Sequence, residues 1–321
     1  MRTLGLLGLA LALAGAASAA SLQDLSHSAL SIYVAARDDG AVSRSNTNGV
    51  SYTTVSTGSA APLRGVAYAS NWFVAVGDGG RAVRSSDGGL TWTPDNTHTT
   101  SSLREITPHG TYFVAVGDGG TTLRKVTSSA VWDTTLSPVA QAVRSVAANG
   151  VVPGILIAVG DAGLVLRSTD QGLSWSPQFL PGAPNLHGVS AGSTNTYFAA
   201  VGAGGKIFRS SNLGVDWEDV SNAGVTTNLN DVAADETNRF VAVGDNGTIV
   251  RSGTNAGPGS WLPIGGVPAV DLFGAHRDGT YFYAVGANDV VLRGLDGTSW
   301  INVPVTSVTW TGVKRLWGAS R

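Results

Sequence analysis

The chain has 321 residues, no cysteine and a net charge of −2, so disulfides, thiolate metal sites and cysteine nucleophiles are excluded, and the charge gives no reason to expect a nucleic-acid partner. Glycine accounts for 43 residues while aliphatic residues stay plentiful, a mixture that points to many short strands and tight turns rather than disorder.

At the N-terminus Arg2 supplies one positive charge, Leu4 to Ala14 form an apolar-and-glycine run, and Ala17-Ser18-Ala19 gives the small-x-small pattern of a signal peptidase site. The expectation is a signal peptide over residues 1–19 and a periplasmic or secreted mature protein over 20–321. The run is too short to span a bilayer, and no later stretch is long and apolar enough, so the mature chain is expected to carry no transmembrane anchor.

One string then recurs. Phe73-Val-Ala-Val-Gly77-Asp-Gly-Gly80 returns at Phe113, Leu156, Phe198 and Phe240, with weaker copies from Phe282 to Asp289 and from Tyr33 to Gly40. The fifth positions, Arg37, Gly77, Gly117, Gly160, Gly202, Gly244 and Gly286, lie 40 to 43 residues apart and fill residues 20–321 with seven repeats. Each repeat reads as four strands: a short one such as Leu63 to Val66, the Phe-Val-Ala-Val-Gly run, a third after an Asp-Gly turn, and a fourth opened by an aromatic (Tyr52, Trp92, Trp132, Trp175, Trp217, Trp261, Trp300). Four-stranded repeats of this length predict an all-β, seven-bladed β-propeller with antiparallel blades. The second strand is apolar on both faces, as a sheet between neighbours requires, and alanine stands two residues before the anchor in every copy. An open ring leaves two exposed sheet edges, so the N- and C-terminal segments are expected to pair. Thr309 to Val313 is favoured as the first strand of the blade begun by Tyr33, with Leu22 to Leu25 as its competitor.

Two blades carry Ser85-x-Asp87-x-Gly89-x-Thr91-Trp92 and Ser168-x-Asp170-x-Gly172-x-Ser174-Trp175, the Asp-box pattern, in which a carboxylate and hydroxyls close a turn above a tryptophan. Asn212 to Trp217 and Asp296 to Trp300 are degraded forms, and the copy between Lys125 and Trp132 is lost. The first strand, the Val-Gly-Asp-x-Gly hairpin, the Arg-Ser-x-Asp-Gly-Gly string and the Trp together resemble the photosystem II stability/assembly factor family over nearly the whole mature chain. The resemblance implies a seven-bladed propeller acting as a chaperone-like scaffold for a protein client. The chain lacks the lipid-anchor cysteine of cyanobacterial members.

Two sets of arginines mark candidate sites. Arg44, Arg84, Arg124, Arg167, Arg209, Arg251 and Arg293 stand seven residues past each anchor. Their expected role is structural, with each guanidinium binding carbonyls or a carboxylate around the Asp-box turn of its own or the next blade. The hairpin aspartates of the same blade, about 20 Å away along an extended strand, are too distant to be their partners. The second residue of the first strand is Arg64, Arg104 and Arg144 in three consecutive blades, then His187, Asn230, Phe273 and Thr311. Because only some blades carry it, this basic sector is a candidate binding surface for carboxylates, with Asp231, Glu105 or water as the alternative partners.

Enzyme readings lack their parts. A sialidase needs a tyrosine–glutamate pair and an acidic proton donor, whereas the three glutamates, Glu105, Glu218 and Glu236, have no tyrosine nearby in sequence. The histidines have no metal-ligand spacing and no nucleophile elbow, and the Gly-Asp-Gly-Gly turns are flanked by strands on both sides, unlike phosphate loops. The reading is therefore a monomeric, non-catalytic scaffold without cofactor or metal that binds a protein client through Arg64, Arg104, Arg144 and His187. A sialidase-like or other glycan-acting hydrolase, or a carbohydrate-binding propeller using Trp72 and Trp317, is the alternative.

Overall fold

The computed structural model describes residues 22–302, apart from 29–31, 48–52, 136, 151–153, 195, 223 and 288–289, together with 316–318. Seven antiparallel sheets succeed one another around a ring, and the fold is the seven-bladed β-propeller expected from the repeat spacing. Blade 2 is representative: an inner strand Leu63–Ala69, a second strand Trp72–Gly77, a third strand Ala82–Ser85 and an outer strand Thr93–Pro94. Inner strands of successive blades lie side by side around the central axis. Among the described residues the only helical elements are short 3-10 turns, and no helix is long and apolar enough to cross a membrane.

The second strand is the scaffold of each blade because both its faces are buried. Phe73, Val74, Ala75 and Val76 are wholly inaccessible, and the apolar clusters join neighbouring blades: Ala67, Val74 and Val76 pack with Leu103, Ile106 and Phe113 of blade 3. Alanine at the anchor-minus-two position (Ala35, Ala75, Ala115, Ala158, Ala200, Ala242, Ala284) is fully buried in all seven blades, where extra methylenes would strain the packing. The hairpin after the second strand is a 3-10 turn, Asp78–Gly80 in blade 2, rather than a two-residue β-turn. Gly80 has φ +74°, and a Cβ there would stand 1.9 Å from the Thr99 carbonyl oxygen, so only glycine fits. Gly77 is extended and answers a different demand: its Cβ would stand 2.0 Å from the carbonyl oxygen of Pro62.

Ring closure differs from the favoured expectation. Leu22–His27 pairs antiparallel with Tyr33–Arg37 and supplies the inner strand of blade 1, the place assigned to Thr309 to Val313, which lie outside the described residues. The C-terminal strand Leu316–Gly318 instead adds parallel to Leu25–His27 as a fifth strand on the inner side. The local hairpin prevails because its short connection, tightened by the Ser28 N–H on the Ile32 carbonyl at 2.8 Å, closes at little entropic cost. N- and C-terminal segments therefore do pair, with their roles exchanged.

A second feature had no sequence signature. In all seven inner strands the ladder register slips at the second residue, as between Leu63 and Gly65, so that this residue is a β-bulge standing opposite no single residue of the second strand. Bulges re-aim side chains. The register places Gln23, rather than Thr311, in this slot of blade 1.

Candidate functional site at the hairpin end of the axis

The bulge residues of blades 2, 3 and 4 are Arg64, Arg104 and Arg144, and each turns back onto the hairpin of its own blade. Arg64 donates from Nε to Asp78 Oδ1 at 2.9 Å and from Nη2 to Oδ2 at 2.6 Å. Arg104 repeats this fork on Asp118 at 2.8 and 2.7 Å, and Arg144 Nε donates to Asp161 Oδ1 at 2.5 Å. The partners are thus the hairpin aspartates, not Asp231 or Glu105. Glu105 accepts from the backbone N–H of Ile106, and Asp231 from that of Ala275 in the next blade.

The three pairs share one region. Hydrogen bonding to Asp118 raises the basicity of Arg104 against the opposing effect of burial, and the charges of Asp78 and Asp161 in the flanking blades add to it. Asp118 is held below the usual carboxylate range, first by its bond from Arg104 and further by the charges of Arg104 and Arg144. The expected basic sector is therefore an alternating array of three guanidiniums and three carboxylates. Its side chains are 26% to 36% exposed, so each pair contributes about 0–1 kcal/mol to stability.

The remaining bulge residues differ. His187 places Nδ1 3.0 Å from the Leu229 carbonyl of blade 6, and Asn230 donates both to Asp245 of its own hairpin at 2.8 Å and to the Leu272 carbonyl at 2.9 Å. Blades 5 and 7 have Ala203 and Ala287 where the others carry aspartate, and there the bulge residue is His187 or Phe273. This pairing of arginine with aspartate across repeats was visible in the sequence. It was missed because the aspartates read as turn formers.

The seven repeated arginines lie toward the other end of the blades and have two kinds of partner. Arg44, Arg167 and Arg251 donate from Nε to the carbonyls of Gly88, Leu213 and Asp296 in the Asp-box-type turn of the following blade, at 2.6 to 2.8 Å. Arg84, Arg124, Arg209 and Arg293 lie over Trp72, Tyr112, Tyr197 and Tyr281 of their own blades at 3.8 to 5.0 Å from the ring centroids. Arg84 also reaches the Ser128 carbonyl and Arg124 that of Gln171, both in the next blade, while Arg209 pairs with Glu218. Trp72, expected as a free platform for a sugar, is covered by Arg84. Trp317 belongs to the C-terminal strand, whose pairing alone is described.

Among the described residues no group of three or more histidines, aspartates or glutamates is placed to hold a metal ion.

The ring is similar in shape to several solved structures. It overlays on YCF48 bound to D1 peptide with a TM-score of 0.68 at 16% identity, covering 90% of this chain and 93% of that one. YCF48 from Cyanidioschyzon merolae gives 0.69 at 15%, over 85% and 95%. A streptogramin B lyase gives 0.70 at 12%, over 89% and 93%. A catalytically inactive virginiamycin B lyase from Staphylococcus aureus with quinupristin gives 0.69 at 12%, over 88% and 94%. At these identities the likeness is one of fold. No family model matches the sequence, and no curated protein matches it.

Proposed function

We propose that this chain is an exported, non-catalytic scaffold that holds a protein client by its carboxylates at the hairpin end of the axis. The observation that carries the reading is the set of three guanidiniums on adjacent blades, each held on one edge by an aspartate. Planar forks of this kind suit carboxylates of a polypeptide better than lysines would. The D1 peptide held by YCF48, a propeller of the same shape, supports a peptide as ligand. Export rests on the apolar run Leu4 to Ala14 and the Ala17-Ser18-Ala19 pattern. The likeness to streptogramin B lyase favours a second reading, an enzyme acting on a streptogramin-type compound, with His187 as the histidine of the same ring of bulge residues.

Affinity capture from the native periplasm with mass spectrometry tests the first reading. The native protein is expected to retain a defined partner, and the variant Arg64→Ala/Arg104→Ala/Arg144→Ala to lose it, with thermal stability changed by less than about 3 kcal/mol in total. Undiminished capture by that variant refutes the site. Turnover of quinupristin or of a fluorogenic sialoside above background, lost on changing His187 to alanine, establishes an enzyme instead.

A further inference from the structure

The hairpin aspartate is not needed by the turn it occupies. Blade 5 has Ala203 in its place, yet the turn is the same: Gly202 N–H bonds the Lys206 carbonyl at 3.0 Å, as Gly77 N–H bonds that of Arg81 at 2.9 Å. Gly204 and Gly79 share φ near +65° and +67°. Within this one chain the aspartate accompanies arginine at the bulge in blades 2, 3 and 4, while the two blades with Ala203 and Ala287 carry His187 and Phe273. Ion pairs as exposed as these contribute little to stability. Neither turn formation nor stability accounts for the aspartates.

A guanidinium has two forks that share Nη2, one from Nε and one from Nη1. Asp118 occupies the Nε/Nη2 fork of Arg104, and among the described residues no hydrogen bond reaches Nη1. We propose that Asp118 is a positioning residue: it fixes the plane of Arg104 by one fork and leaves the other to accept a client carboxylate. The proposal rests on the carboxylate-binding reading given above and adds the device that makes Arg104 selective for a planar, two-oxygen acceptor. The array is charge-balanced, so recognition depends on fork geometry and little on long-range attraction.

Replacing Asp118 by asparagine separates geometry from charge. Asp118→Asn raises the local charge by one unit, so attraction alone predicts tighter binding and a steeper salt dependence. Positioning predicts the opposite. The probe is a fluorescein-labelled alanine-glycine octapeptide ending in aspartate with a free C-terminal carboxylate, alongside its C-terminal amide.

The native protein is expected to prefer the free acid, and Asp118→Asn to bind it about tenfold more weakly. Asp118→Glu should recover part of that loss. The Arg104 Nε–H resonance reports the same device without any ligand. Rotation about its Nε–Cζ bond is expected to be slow in the native protein and fast in Asp118→Asn. Equal or tighter binding by Asp118→Asn overturns the positioning role while leaving the arginines as the site. Failure of the native protein to bind the free acid more tightly than the triple arginine variant overturns both.

Discussion

Asp87 and Asp95 are both carboxylates near a tryptophan, and their surroundings drive them in opposite directions. Partial burial pushes Asp87 up, but hydrogen bonds from Thr91, Ser85 and Leu90 outweigh it and hold the group at about 2. Its folded value lies below the unfolded value of about 4, so the stability it confers is present above pH 4 and lost as pH falls through 2. Asn212 occupies the matching position in blade 5 and closes the turn without titrating, its Oδ1 accepting the Asp216 N–H at 2.9 Å. Asp87→Asn is therefore expected to cost about 0.5–1 kcal/mol at pH 7. The gap should narrow as pH falls below 4 and close only below pH 2, as urea melts at several pH values would record. Asp95 is instead pushed up by burial, against the pull of Lys125 and Arg84. Its fully buried side chain meets Lys125 Nζ at 2.5 Å and Trp132 Nε1 at 3.3 Å. Lys125 stands where five other blades have serine and blade 7 has Gly294, so blade 3 fastens to blade 2 by a buried ion pair where the Asp-box turn is lost. Asp87 was legible because its partners lie within four residues. Asp95 was not, because Lys125 is thirty residues away in the next blade.

At the scale of the strand, periodicity revealed what the blade contains but not how it is registered. The Phe-Val-Ala-Val-Gly run, the aromatic that opens the fourth strand and the order of strands could be read directly, since each rests on composition and spacing. The bulge in every inner strand could not, because it is a displacement of the ladder and any residue type tolerates it. The outer strands carry another device. They are two to four residues long, and three of them hold proline at the equivalent position, Pro94, Pro177 and Pro263. Proline offers no N–H to an incoming strand, and the blade edge is thereby closed to a second molecule. Pro94→Thr/Pro177→Thr/Pro263→Thr is expected to keep the ring intact and to self-associate more strongly than the native protein at equal concentration, as sedimentation would record.

Over the whole molecule, the number of blades followed from seven copies at near-constant spacing, whereas the closure turned on two segments of similar pattern. Leu22 to Leu25 and Thr309 to Val313 both read as first strands, and the deciding factor was a short hairpin rather than residue preference. Deleting residues through 28 removes the inner strand of blade 1 and exposes the edge of Tyr33–Arg37. This truncation is expected to lower the melting temperature by more than about 10 °C, while removal of 316–321 leaves four strands in that blade and should lower it by less than about 5 °C. Equal losses would mean that the C-terminal strand bears as much of the closure as the N-terminal one.

The bulge at the second inner-strand position has a consequence for divergence. That slot holds Gln23, Arg64, Arg104, Arg144, His187, Asn230 and Phe273 within a single chain, while the ladder around it repeats unchanged. A cation, an amide, an imidazole and an aromatic ring are thus interchangeable there as far as the backbone is concerned. The ring can change these side chains one blade at a time, because cohesion resides in the second strands. Slot residues can thus drift while shape persists, in keeping with overlays of 0.68 to 0.70 at 12% to 16% identity on YCF48 and on two streptogramin-type lyases.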